Sequence, residues 1–71
     1  MNFKFDYAKK YTIPFGKYKG QRIDSIAQLD EGLLYLDWLY GETKDSNIKQ
    51  ILKIYLEDET IKNELSKLIR A

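Results

Sequence analysis

Lys17, Tyr18 and Lys19 stand together between Gly16 and Gly20, two ammonium groups on either side of one phenol ring. Lysines neutralise phosphates and an aromatic ring stacks on bases, so this triplet at a protruding turn has the chemistry of a nucleic-acid contact with weak sequence preference. Lys9, Lys10 and Arg22 flank it and would extend the basic surface. Other chemistries find less support. With no cysteine and no histidine, thiolate and imidazole metal ligands are excluded, as is every nucleophile–base pair that needs either residue. The carboxylates Asp6, Asp24, Asp30, Glu31 and Asp37 read as helix caps or solvated residues. In the run Glu57-Asp58-Glu59, adjacent helical positions do not share a face, so the three do not converge on one ion. The Gly16 to Gly20 tract lacks the Gly-Lys-Ser/Thr of a P-loop, and an extended segment rather than a helix is expected after it. No catalytic residue, metal or cofactor is assigned, and the chain is read as a non-enzyme with no small-molecule substrate.

Seventy-one residues support one small domain, spanning 1–71, in which burial barely offsets conformational entropy, so each large apolar residue is first assigned to the core. The net charge of +1 conceals a segregation: residues 1–22 hold Lys4, Lys9, Lys10, Lys17, Lys19 and Arg22 against Asp6 alone, whereas residues 23–42 hold five carboxylates and no cation. Such a dipolar chain presents a cationic face to a polyanion without being basic overall. No apolar run reaches the roughly 18 residues of a membrane span, and Met1-Asn2-Phe3-Lys4-Phe5-Asp6 is not a signal peptide. A cytoplasmic location is expected, in keeping with the missing cysteines.

The elements that must position the tip follow from periodicity. Phe3, Phe5 and Tyr7 alternate with Lys4 and Asp6, and Tyr11, Ile13 and Phe15 alternate with Thr12 and Pro14, the spacing of strands with one buried face. A β-hairpin is predicted over residues 12–23, with Gln21-Arg22-Ile23 returning beside the first arm, an exposed turn at its tip, and a further short strand over residues 3–7. From Asp24 the period becomes helical. Asp24 or Ser25 can cap a short turn carrying Ile26 and Leu29. Asp30 can cap a helix with Leu33, Leu34, Leu36, Trp38 and Leu39, stopped by Gly41. After the polar linker Lys44-Asp45-Ser46-Asn47, Ile48, Ile51, Leu52, Tyr55 and Leu56 define one stripe, and beyond the acidic corner at 57–60 Ile61, Leu65, Leu68 and Ile69 define another. The predicted fold is α+β, a hairpin packed on about three helices. Its core draws on Ile13, Phe15, Ile23, Ile26, Leu33, Leu36, Trp38, Leu39, Ile48, Leu52, Tyr55, Leu56, Ile61 and Leu65. Tyr18, with no evident core partner, is left as the exposed ring.

Ile13-Pro14-Phe15-Gly16-Lys17-Tyr18-Lys19-Gly20, then Ile23 and Ile26, then Leu34-Tyr35-Leu36-Asp37-Trp38-Leu39, resembles the small domain found C-terminal to the nuclease in exodeoxyribonuclease X-like proteins. The same PFGKYKG…YLxWL pattern is similar to that of short stand-alone phage and bacterial proteins, some labelled quorum-sensing-regulated virulence factors. The resemblance implies an accessory role beside DNA-processing machinery and no exonuclease activity, since the nuclease carboxylates belong to the other domain. Asp37 departs from the family, which commonly carries a basic or polar residue before the tryptophan. The expected function is therefore a non-catalytic module binding nucleic acid, DNA rather than RNA, through the tip. The alternative is a protein-interaction module, such as a phage- or mobile-element-encoded modulator of a host enzyme or an adaptor in a DNA replication or repair complex, favoured by the acidic middle segment.

Overall fold

Aromatic and charged side chains alternate over residues 3–7, yet this segment opens a helix. In the computed structural model, which describes residues 3–70, α1 spans Phe3–Lys10, α2 Ile23–Ala27, α3 Gly32–Glu42, α4 Ser46–Leu56 and α5 Glu59–Arg70. The local reason is visible in α1. Asp6 and Lys9 pair at 3.3 Å across one turn, the Lys9 ammonium lies 5.9 Å from the Phe5 ring centroid, and Ala8, three residues after Phe5, is fully buried. All of these are helical spacings. The alternation carried no burial pattern: Tyr7 is 61% exposed.

The predicted hairpin shrinks to a single antiparallel bridge between Thr12 and Arg22. The chain does return on itself. Ile23 donates to the Tyr11 carbonyl at 2.9 Å, Ile13 to Gln21 at 3.0 Å and Gly20 to Ile13 at 2.8 Å. The ladder does not lengthen toward the tip, because the Ile13 carbonyl is taken by the Gly20 amide while the Gln21 amide turns to Tyr18, and at the other end Tyr11 donates to Ala8 as α1 closes and Ile23 begins α2. The α+β assignment is thus corrected to an all-helical domain. Among the described residues there is no sheet.

The helices of the second half form where their patterns place them. Asp45 caps α4, its Oδ1 accepting from the amides of Asn47 at 2.9 Å and Ile48 at 3.2 Å, a contribution of about 1 kcal/mol. Its stripe of Ile48, Ile51, Leu52, Tyr55 and Leu56 is entirely buried. Asp58 Oδ2 accepts from the Ile61 amide at 3.3 Å and opens α5. Three punctuation expectations fail. The residue before α3 is Glu31, in the left-handed region at φ 62° and without a side-chain cap, instead of Asp30. Gly41 does not stop α3, which ends where Thr43 turns extended and donates to Leu39 at 2.8 Å. Nor do Asp24 and Ser25 cap α2, since Arg22 precedes its first residue.

Helix α4 is the central element, packed against α1, α3 and α5, while α2 packs against α1 and α3. Ile13, Ile23, Ile26, Leu36, Ile48 and Leu52 are the largest fully buried side chains. Phe5 stacks on Tyr55 with ring centroids 5.3 Å apart and planes 7° from parallel, tying α1 to α4. Burial, and after it the charges of Asp24 and Asp58, push the Tyr55 phenol up to about 12, so it stays neutral at physiological pH. Ile61 and Leu65 are half-buried against this core. Phe15 and Trp38, both assigned to the core from sequence, are 40% and 57% exposed.

Candidate nucleic-acid interface

The loop between α1 and α2 is held at its base by the Tyr11, Ile13, Gln21 and Ile23 backbone bonds and at its tip by two glycines. Gly16 at φ 77° and Gly20 at φ 85° occupy conformations that side-chain-bearing residues rarely adopt. Between them Lys19 donates to Gly16 at 3.2 Å and Gln21 to Tyr18 at 3.0 Å. The tight turn leaves Lys17 and Lys19 exposed and turns Tyr18 inward.

Tyr18 is therefore not an exposed ring. It is 8% exposed and meets Tyr35 of α3 edge-to-face, with centroids 4.8 Å apart and planes at 80°, a geometry favoured by the ring quadrupoles. The Lys17 ammonium lies 5.3 Å from the Tyr18 centroid. Tyr35 in turn meets Trp38, one helical turn on, at 5.7 Å and 38°. A chain of three rings thus runs from the interior under the tip to the exposed indole. The tip also sits on this chain directly, because a Cβ built at Gly16 would lie 3.1 Å from the Tyr35 hydroxyl. Phe15, the residue before Gly16, is a further exposed ring on the same loop.

The six residues expected to bind nucleic acid are divided by the structure. Lys17, Lys19 and Lys10 are exposed, and the Lys17 ammonium lies over the Tyr18 ring. Arg22 makes a two-point pair with Asp24, Nε to Oδ1 at 3.1 Å and Nη2 to Oδ2 at 2.7 Å. Lys9 pairs with Asp6. Their charges are locally matched, although exposed pairs of this kind are weak and exchange partners readily. Tyr18 supports the surface from beneath.

Sequence reasoning missed Trp38 and Phe15 as surface groups. A usable signal lies in α3, where Leu33, Leu34, Tyr35, Leu36, Trp38, Leu39 and Tyr40 surround the helix on every side. A helix packed on one side cannot bury all of them. Gly32, Leu33, Leu36 and Leu39 take the buried face, which leaves Trp38 outward with Asp37. Chemically, an exposed indole joined through Tyr35 and Tyr18 to the lysine-bearing tip offers a stacking surface with phosphate-neutralising charge near it.

Among the described residues, no three acidic side chains gather closely enough to hold a metal ion, and no helix is long and apolar enough to cross a membrane. No protein-family model, no curated protein and no solved structure matches this chain.

Proposed function

We propose that this chain is a non-catalytic module that binds single-stranded nucleic acid, DNA in preference, with weak sequence selectivity. The observation that carries the reading is the exposed Trp38 ring, supported from below by Tyr35 and Tyr18 and flanked by the lysine-bearing tip. Trp38 and Phe15 stack on bases, Lys17 and Lys19 neutralise phosphates, and Lys10, at the foot of the loop, extends the basic margin. The stacking role expected of Tyr18 passes to Trp38. Single strands are favoured over duplex because an exposed ring needs an unstacked base to receive. The residues that build this surface are those through which the chain resembles the accessory domain of exodeoxyribonuclease X-like proteins, which supports a place beside DNA-processing enzymes.

Fluorescence anisotropy with a labelled oligothymidine of about 12 nucleotides, within the usual site sizes of small binding domains, tests the proposal. Binding should fall steeply with salt. The double variant Lys17→Ala, Lys19→Ala is expected to reduce the logarithmic salt slope by about 1.4, the single-strand value for two phosphates. Trp38→Ala is expected to cost about 1 to 3 kcal/mol of affinity with an unchanged far-ultraviolet spectrum. Absence of binding at low salt, or wild-type behaviour of both variants, would overturn it.

A further inference from the structure

On another part of the molecule, the turn at residues 28–31 and helix α5 enclose an open groove of about 730 Å³, within the range of sites that accept ordered side chains. Its apolar floor is incompletely covered. Leu29 and Leu68 are each 44% exposed and both line it, and Ile69 next to Leu68 is 62% exposed. The stripe of α5 is half-buried against the domain at Ile61 and Leu65, and it continues past that contact to the exposed Leu68 and Ile69. The rim carries Asp30, Glu31 and Glu64, all exposed. Asp30 and Glu64 pair with no cation among the described residues, and Glu31 stands before α3 without capping it. Among the described residues no lysine or arginine lines the groove, and the fourth carboxylate that does, Asp24, is already neutralised by Arg22.

We infer that this groove docks a basic amphipathic helix of a partner protein. An apolar floor with an acidic rim complements a helix that has leucine-type anchors on one face and lysine or arginine beside them. The α5 side of the groove, from Ile61 to Leu68, runs about 10 Å, matching anchors at i, i+3 or i+4, and i+7. A second copy docking by the same face would bring the three carboxylates of each chain together, which opposes a symmetric dimer. None of Lys17, Tyr18 and Lys19 lines the groove, so the peptide and the nucleic acid are assigned to different residues.

The probe is a synthetic helix of about four turns built from leucine and lysine at amphipathic spacing, compared with its leucine and glutamate counterpart. Both are titrated into the full chain while backbone amide shifts are followed by NMR. The leucine–lysine peptide is expected to bind and to move the resonances of residues 29–33 and 61–68, leaving those of residues 17–20 in place. Reversing the rim with Asp30→Lys, Glu31→Lys and Glu64→Lys should weaken binding roughly tenfold, and Leu68→Ser should weaken it independently. No binding, equal binding of the two peptides, shifts confined to other residues, or insensitivity to both sets of substitutions would overturn the inference. Concentration-dependent self-association abolished by Leu68→Ser, without peptide binding, would assign the face to a second copy instead.

Discussion

Gly32→Ala is expected to be the most destabilising single methyl that can be added to this domain. A Cβ built at Gly32 would lie 1.7 Å from the carbonyl oxygen of Ile26 and 2.7 Å from its carbonyl carbon. Both are backbone atoms, so no side-chain rotation relieves the overlap. The Ile26 oxygen is itself engaged, accepting from the Leu29 amide at 3.0 Å, and Ile26 is fully buried. Helix propensity alone would favour alanine by up to about 1 kcal/mol, so the sign of the effect separates packing from propensity. Forced separation of α2 and α3 should cost more than about 3 kcal/mol, beyond the usual range for overpacking and a large share of what so small a domain can hold in reserve. Gly41→Ala provides the contrast. It is also helical, but nothing lies within 4 Å of its added Cβ, and it should stabilise by about 0.5 to 1 kcal/mol. Urea denaturation followed by circular dichroism measures both. Equal effects at the two glycines would mean that α2 and α3 do not approach as closely as described.

Tyr18→Ala is expected to cost about 3 kcal/mol or more, the scale of deleting a buried aromatic ring, because it removes both the burial and the edge-to-face contact with Tyr35. Tyr18→Phe keeps the ring and should stay within about 1 kcal/mol of wild type. In oligonucleotide binding, Tyr18→Phe should match the parent, since no role at the contact surface is assigned to the hydroxyl. The two substitutions together distinguish a prop from a contact. If Tyr18 were the stacking group, alanine at this position would abolish binding while leaving the denaturation midpoint unmoved.

The stripe of helix α4, from Ile48 to Leu56, was legible in the sequence because 3.6-residue spacing is local and agrees with the tertiary burial, while its cap is narrowed only to the polar linker at 44–47 and falls to Asp45. The corner at 57–60 and helix α5 were legible from local spacing too, but the stripe of α5 is covered only at Ile61 and Leu65 and stays exposed at Leu68 and Ile69. Residues 3–7 were not. Five alternating residues satisfy a strand template, and the helical spacings of Phe5, Asp6, Ala8 and Lys9 reach beyond that window, as does the stacking of Phe5 on Tyr55 far along the chain. The return of the loop on itself was readable from Gly16 and Gly20, whereas the length of its pairing depended on where α1 ended and α2 began. At the candidate site, the exposure of Lys17 and Lys19 followed from their being lysines in a turn. Which rings the core would accept did not follow. Phe15, Tyr18 and Trp38 are all apolar enough to be buried, and the choice fell to Tyr18 because two glycines in the left-handed region aim it at Tyr35.

Trp38 is the sole tryptophan of the chain, so its own emission reports directly on whether the exposed indole meets a base. On titration with unlabelled oligothymidine at low salt, the emission of the unmodified protein is expected to be quenched saturably, with the same midpoint as the anisotropy change, and to recover as salt is added. Binding detected by anisotropy with the Trp38 emission unchanged, or no response in either signal, would contradict the assignment of this surface.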